Sequence, residues 1–300
     1  MTAAVVLPFR VGTRTVWGLR RRLLRVTVPL DRALRGDTLM LPASNGDGYL
    51  IAALPADRLP GLLASQPGLK PFIRQRYRRF YARLDGSFED YLGTFSAKSR
   101  STLKRKARKL ADRSGGTVQL RTFRSEEEAP LFYRDARAVS ALTYQERLLH
   151  SGLPEGEAAL ERMRMLARQD AMRGWILYLD GRPISYLYAP ADGATLSYAH
   201  LGYDPAFADL SPGTVLQFEA MRQLIGEGRF GLFDFTEGEG QHKQLFSTGS
   251  VECVDLLLLR PTIANLAAGF ALSAFDTGIE TTKALLKRLN LESLARRFRR

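Results

Sequence analysis

The segment from residue 174 to residue 259 constrains the fold most tightly. Three apolar runs, 175–179, 182–189 and 194–201, are separated by Asp180-Gly181 and Asp192-Gly193. Such dipeptides turn tightly because glycine accepts a positive φ, so the runs read as an antiparallel meander. Gly174 reads as the stop that ends a preceding helix. After a loop over 202–210, Ser211 offers a hydroxyl at a helix N-cap and Pro212 a preset φ at the first helical position. Leu216, Ala220 and Leu224 share one face of that helix, which ends at Gly226 or Gly228. A strand over 230–235, a Gly-rich loop over 236–241, a helical turn over 242–246 and a last strand over 251–259 follow. The order predicts an α+β layer, a mostly antiparallel mixed sheet flanked by helices.

The flanks are simpler. The first ~95 residues read as short strands and turns, with apolar runs at 39–41 and 49–54 around a Ser-Asn-Gly-Asp-Gly cluster. Residues 59–68 read as a helical turn or a loop. Residues 96–113 predict a helix with one narrow stripe, Leu103, Ala107 and Leu110, and cations around the rest. Residues 117–123 alternate as a strand. Ser125 with Glu128 forms a capping-box pattern that Pro130 delays or bends, leading a helix to about residue 141. Residues 155–173 predict another helix, with Leu160, Met163 and Leu166 or Ala167 inward. Beyond Pro261, Ile263, Leu266 and Phe270 form one helical stripe. Leu285, Leu286 and Leu289 form a second, and Leu291, Leu294 and Phe298 line a short final helix. Three parts result: an α/β part over 1–95, a core over 96–260 and a basic amphipathic tail over 261–300.

Charge narrows the partners. Residues 1–35 carry eight Arg against one acid, 70–113 fourteen Lys or Arg against four, and 283–300 seven against one. The formal net charge is +13, so the basicity belongs to these segments. Such a field favours phosphate-bearing partners: anionic lipid, nucleic acid or a phosphorylated cofactor. Solvated surface faces explain each segment equally well. Nucleic acid is disfavoured, because the 96–113 helix has no interleaved aromatics for stacking. A single cysteine, Cys253, excludes an internal disulfide and a cysteine-rich zinc site, and it reads as a buried inert thiol. Three scattered His and no helical pair argue against a metal. The longest charge-free stretch, 261–275, is too short to span a bilayer, and residues 3–9 do not read as a leader. A cytoplasmic protein is expected, with the inner membrane surface as a peripheral contact.

Four places can carry chemistry. The start of the helix at Ser211, Gly213, Thr214 and Val215 offers backbone N–H groups and the positive dipole end to an anion, or it is a plain capped helix. Asp234, Glu237 and Glu239 cluster at a strand end before His242 and Lys243. A carboxylate there suits a general base and Lys243 a phosphate or developing oxyanion, or the loop is merely solvated. His200 precedes the anion-site loop and is either a base or a satisfied structural residue. Tyr144 lines a substrate pocket or packs. P-loop, nucleophile-elbow and dinucleotide patterns are absent from the sequence.

Together these residues resemble a known family. The strand–loop–helix–strand order over 194–235 resembles the acyl-CoA-binding core of the GNAT acyltransferase superfamily. Three segments resemble its CelD-like branch, related to FemAB-like transferases: Lys98-Ser99-Arg100-Ser101-Thr102-Leu103-Lys104-Arg105-Lys106, then Leu201-Gly202-Tyr203-Asp204-Pro205 leading to Ser211-Pro212-Gly213, then Asp234-Phe235-Thr236-Glu237-Gly238 with Lys243. The resemblance covers about residues 85–260. It implies acyl-CoA as co-substrate and no metal, with transfer of the acyl group to an amine. The pyrophosphate would rest at Gly213–Val215 and the pantetheine arm between the strands at 194–201 and 230–235. The common loop pattern places an Arg or Gln before two glycine-like positions. Here only Gly213 is in place, so carrier-protein and aminoacyl-tRNA donors stay open beside CoA. The family association implies an amine acceptor on an envelope lipid or glycan. A sphingoid base yielding ceramide is favoured, with acetylation in exopolysaccharide or cellulose biosynthesis, and a non-catalytic basic binder, as rivals. By analogy the N-terminal part is a degenerate second copy of the fold.

Overall fold

The computed structural model describes residues 3–11, 14–143, 146, 152–238 and 240–288. The chain divides into two compact units, residues 1–78 with 251–300, and residues 79–250. It passes between them within the strands β4 (Lys70–Arg83) and β11 (Gly249–Leu259).

The first unit holds β1 (Ala3–Val11), β2 (Arg14–Thr27), α1 (Leu30–Arg35), β3 (Gly48–Pro55), α2 (Leu59–Ser65) and, at its end, α9 (Ile263–Arg288). Strands β1, β2, β3 and β11 neighbour in that order, with β2 parallel to β3 and the other pairs antiparallel. Alternation places Val5, Leu7 and Phe9 in the core and leaves Val6 48% exposed. The strands here are longer than predicted, and residues 39–41 form none. Beyond Pro261 a single helix replaces the separate stripes. Its buried face is Asn265, Ala268, Gly269 and Leu272, while Ile263 and Phe270 are exposed. The reason lies in partners distant in sequence. Arg21 donates to the Asn265 side chain, and Gly269 lies so close to the Phe72 ring that a Cβ would meet it at 2.4 Å. The predicted face at 291–298 lies outside the described residues.

The second unit carries the end of β4 with α3 (Phe88–Gly93), α4 (Ala97–Arg113), β5 (Gln119–Phe123), α5 (Ala129–Ser140) and α6 (Glu157–Arg168). These are followed by β6 (Met172–Leu179), β7 (Arg182–Asp192), β8 (Thr195–Ser197), β9 (His200–Tyr203), α7 (Pro212–Glu227), β10 (Leu232–Asp234) and α8 (Gln241–Phe246). The strand order is β4-β10-β8-β7-β6-β5, with β9 also on β7. Only β8 and β10 run parallel; the other pairs here are antiparallel. This is the expected α+β mixed sheet.

Period-two alternation buries this sheet on both faces. Trp175, Leu177, Leu179, Leu187 and Ala189 join Leu103 and Leu110 of α4 and Leu216, Ala220 and Leu224 of α7. Ile176, Tyr186 and Tyr188 join Phe132, Ala136 and Val139 of α5 and Met163 of α6. The helix predicted to reach residue 173 ends at Arg168, and Gly174 is not a stop. It lies inside β6, where a Cβ would sit 2.7 Å from the Phe132 ring, so glycine admits that ring rather than breaking the chain. The Ser125–Glu128 box forms one turn ahead of α5, whose first turn holds Pro130.

Candidate active site

The strand predicted over 194–201 is broken by a bulge, and the bulge builds the site. Ala199 donates its N–H to the Tyr188 carbonyl, and His200 is also paired opposite Tyr188. Two residues thus face one, which kinks the strand. Before the bulge, β8 runs beside β10 in the register Thr195–Leu232 to Ser197–Asp234. Tyr198 N–H then donates to the Asp234 carbonyl at 2.8 Å. Beyond that bond the strands follow different neighbours. Phe235 N–H goes to Phe80 of β4, and β9 pairs with β7. A wedge opens between β9 and the end of β10. Thr236 turns the chain away with φ +60°, a left-handed conformation rare for a β-branched residue.

Asp234, Lys243 and the Glu237 main chain come together at the wedge's apex. Asp234 is 3% exposed, and its carboxylate is held by Arg79 and by the Thr236 N–H at 2.8 Å. The Lys243 ammonium donates to the Glu237 carbonyl and lies 5.7 Å from the centre of the Tyr198 ring. Burial pulls the Lys243 pKa down, opposed by the charges of Glu237 and Asp234. The Glu237 residue itself is exposed. His242 packs on Tyr198 at 5.6 Å, and burial and Lys243 push its imidazole below the ordinary range. Tyr198 also meets Phe233 and Phe235, and burial drives its phenol well above the usual value.

His200 stands apart from this cluster. The bulge turns it onto the α5–α6 face, where it stacks on Tyr188 at 6.4 Å and 14°. Burial lowers its pKa, so the ring is neutral at neutral pH. The Tyr188 phenol is pushed up to about 12 by burial. Tyr144 and Glu239 lie outside the described residues. Arg137 grips Glu146 at 2.5 and 2.7 Å, and Ser140 donates to the same carboxylate.

The helix start at Ser211 differs from its prediction. Ser211 is left-handed, φ 53° and ψ 47°, and its side chain caps nothing. The N–H groups of Thr214 and Val215 are not open. Both donate to the Ser211 carbonyl, at 3.0 and 3.1 Å; the Val215 bond is the ordinary first helical bond, and the Thr214 bond is a tighter i→i−3 contact. Pro212 has no N–H, which leaves the N–H of Gly213. Gly213 is buried, and a Cβ there would meet Leu201 at 3.1 Å and Tyr203 at 3.4 Å. One turn on, Gln217 is 2% exposed, and neither end of its carboxamide has a partner among the described residues.

Arg79, Tyr198 and Gln217 were not singled out from sequence. Arg79 is one Arg in a basic run, and Gln217 interrupts an apolar helix with a polar residue, which was the one visible signal. Among the described residues no group of three His, Cys, Asp or Glu is placed to hold a metal.

Residues 97–244 match the acetyltransferase (GNAT) domain family, and the fold of the chain is GNAT-like. Among solved structures it is similar to FemX, at 12% identity over 70% of this chain and 71% of that one, with a TM-score of 0.51. It is also similar to the C-terminal domain of a protein from Agrobacterium fabrum described as a lysylphosphatidylglycerol synthetase. That likeness is 12% identical over 75% of this chain and 70% of that one, with a TM-score of 0.50. No curated protein sequence matches the chain.

Proposed function

We propose that this protein is an N-acyltransferase that moves an acyl group from a thioester to an amine on a cell-envelope component. The observation that carries the reading is the wedge beyond the Tyr198–Asp234 bond, beside the start of α7. The pantetheine arm lies in the wedge with its thioester near the bulge. The amine nitrogen attacks the thioester carbonyl, a C–N bond forms, and the C–S bond breaks. The sulfur leaves as a thiol, and the amine's proton passes through a general base.

Neutral His200 is the favoured base, with Glu237 next. Asp234 holds the apex through Arg79, and Lys243 stabilises developing negative charge. A long-chain amino-lipid such as a sphingoid base, giving a ceramide, is the favoured acceptor. The basic segments support a membrane-surface acceptor, and one structural neighbour is itself named for a lipid product. The protein then works peripherally on the inner face of the cytoplasmic membrane. Among the described residues no helix is long and apolar enough to cross one.

Mass spectrometry of lipids and glycans from cells with and without the gene tests the acceptor. Loss of an N-acylated lipid supports the reading. Loss of O-acetyl groups from a polysaccharide moves it to the rival acetylation. Purified protein that transfers acyl groups from no thioester to any amine overturns it.

A further inference from the structure

We propose that the exposed cationic face of α4 docks an acidic acyl carrier protein, which delivers the acyl thioester on its phosphopantetheine arm. This rests on the acyltransferase reading and names its donor.

The face is defined by burial. Leu103 and Leu110 turn inward, while Lys98, Lys104, Arg105 and Arg108 are exposed. None of these four is paired with a carboxylate among the described residues. At 100° per residue they fall within about a third of the helix circumference, over a length of about 15 Å. The opposite exposed end is different: Lys109 pairs with Asp209 at 3.3 Å and Arg113 with Asp180 at 3.5 Å. Cations left unpaired in one stripe are worth little to stability but steer an acidic partner.

The helix lies where a donor would enter. Lys109 also donates to the Asp209 carbonyl at 3.0 Å, tying α4 to the turn that feeds α7. A groove of about 530 Å³ opens there, lined by Lys109, Arg113, Phe207 and Leu210 among others.

The start of α7 explains why the donor would need this helix. CoA brings a pyrophosphate, which a helix start holds with open N–H groups. Here Pro212 has none, that of Thr214 is turned back onto the Ser211 carbonyl, and Ser211 N–H goes to Ala208. Gly213 is buried, with Leu201 and Tyr203 packed where its Cβ would be. Residues 207–210 offer no cation either. A carrier-protein donor brings a single phosphodiester and draws its affinity from protein contacts instead. A stripe of about 15 Å fits one acidic helix. The helix carries no aromatic on which RNA bases could stack.

The test compares three donors on the full chain: an acyl carrier protein bearing a long acyl chain, the matching acyl-CoA, and the acyl N-acetylcysteamine thioester, which is an arm without phosphate. The variants are K104E/R105E/R108E and the milder K104Q/R105Q/R108Q, with thermal melts as a check on folding. The expected result is that charge reversal raises the carrier-protein KM about tenfold or more and flattens its salt dependence, with the glutamine variant between. Turnover of the phosphate-free thioester should stay unchanged. A carrier protein that is not used while acyl-CoA is used overturns the docking proposal and leaves the acyltransferase reading standing. So does a carrier-protein KM indifferent to charge reversal. Charge reversal that instead abolishes binding of tRNA or of anionic vesicles, with no carrier-protein effect, assigns the face to that partner and overturns the proposal. If no thioester is used at all, the acyltransferase reading itself fails.

Discussion

The Arg79 guanidinium grips the Asp234 carboxylate from inside the sheet, with Nε 3.1 Å from each oxygen and Nη2 2.5 Å from Oδ2. The two side chains are 8% and 4% exposed. The same carboxylate takes the Thr236 N–H, so one buried pair fixes both the end of β10 and the left-handed turn that opens the wedge.

Asp234→Asn leaves a buried guanidinium without its counter-charge. Breaking such a pair costs about 3–5 kcal/mol, and denaturant unfolding should show a loss of that order. Arg79→Met combined with Asp234→Leu should recover most of it, since an apolar pair removes both charges. If Asp234→Asn keeps the parent stability and loses only turnover, the carboxylate acts in the chemistry instead.

His200 sets the pH dependence. Burial lowers its pKa, so the neutral, proton-accepting ring persists to lower pH than a free imidazole. The acid limb of kcat/KM should therefore fall below about 6.5. His200→Gln should abolish that limb and lower kcat by about 10²–10⁴-fold. The same shift means folded stability declines as pH drops from the ordinary imidazole value toward the lowered one. An unchanged limb in the variant would sink the assignment.

Gln217 separates a ligand role from a packing defect. An unpaired buried amide costs about 1–3 kcal/mol, so Gln217→Leu should raise stability by up to that amount. We expect donor affinity to fall about tenfold in the same variant, because the carboxamide lies one turn from Gly213 and is free to bond the arm's amides. Calorimetry of donor binding beside thermal unfolding reads both. A more stable protein with full donor affinity would assign Gln217 no ligand.

The first unit makes the membrane prediction. Val16 and Trp17 on β2 are 65% and 60% exposed, and the same strand carries Arg20, Arg21, Arg22 and Arg25. Apolar side chains beside cations suit an anionic interface. Trp17→Ala should weaken sedimentation with anionic liposomes about three-fold or more, with little effect on neutral ones. Equal binding by the variant would move the contact elsewhere.

Local signals were enough for the meander, for α7 with its Gly228 end, and for the stripe of α4. Hairpin dipeptides, caps and periodicity act within a few residues, and those are properties a chain carries in its own order. Gly174 shows where this stops. Its role depends on the Phe132 ring, some forty residues away, so a local rule read it as a helix stop. Gln217 and Arg79 were passed over for the same reason, since burial and pairing are settled by distant partners.

The candidate site divides along the same line. The sequence by itself determined which residue types reach the ends of β10 and β9: the Asp234–Lys243 cluster, His200 and the Ser211–Gly213 step. Only the tertiary structure decided their use. The bulge opposite Tyr188 sends His200 to one face of the sheet while Tyr198 stays on the other. At the start of α7 the Thr214 N–H is turned back onto the Ser211 carbonyl instead of facing outward. Strand register and backbone handedness arise from the whole packed sheet, which no window of neighbouring residues contains.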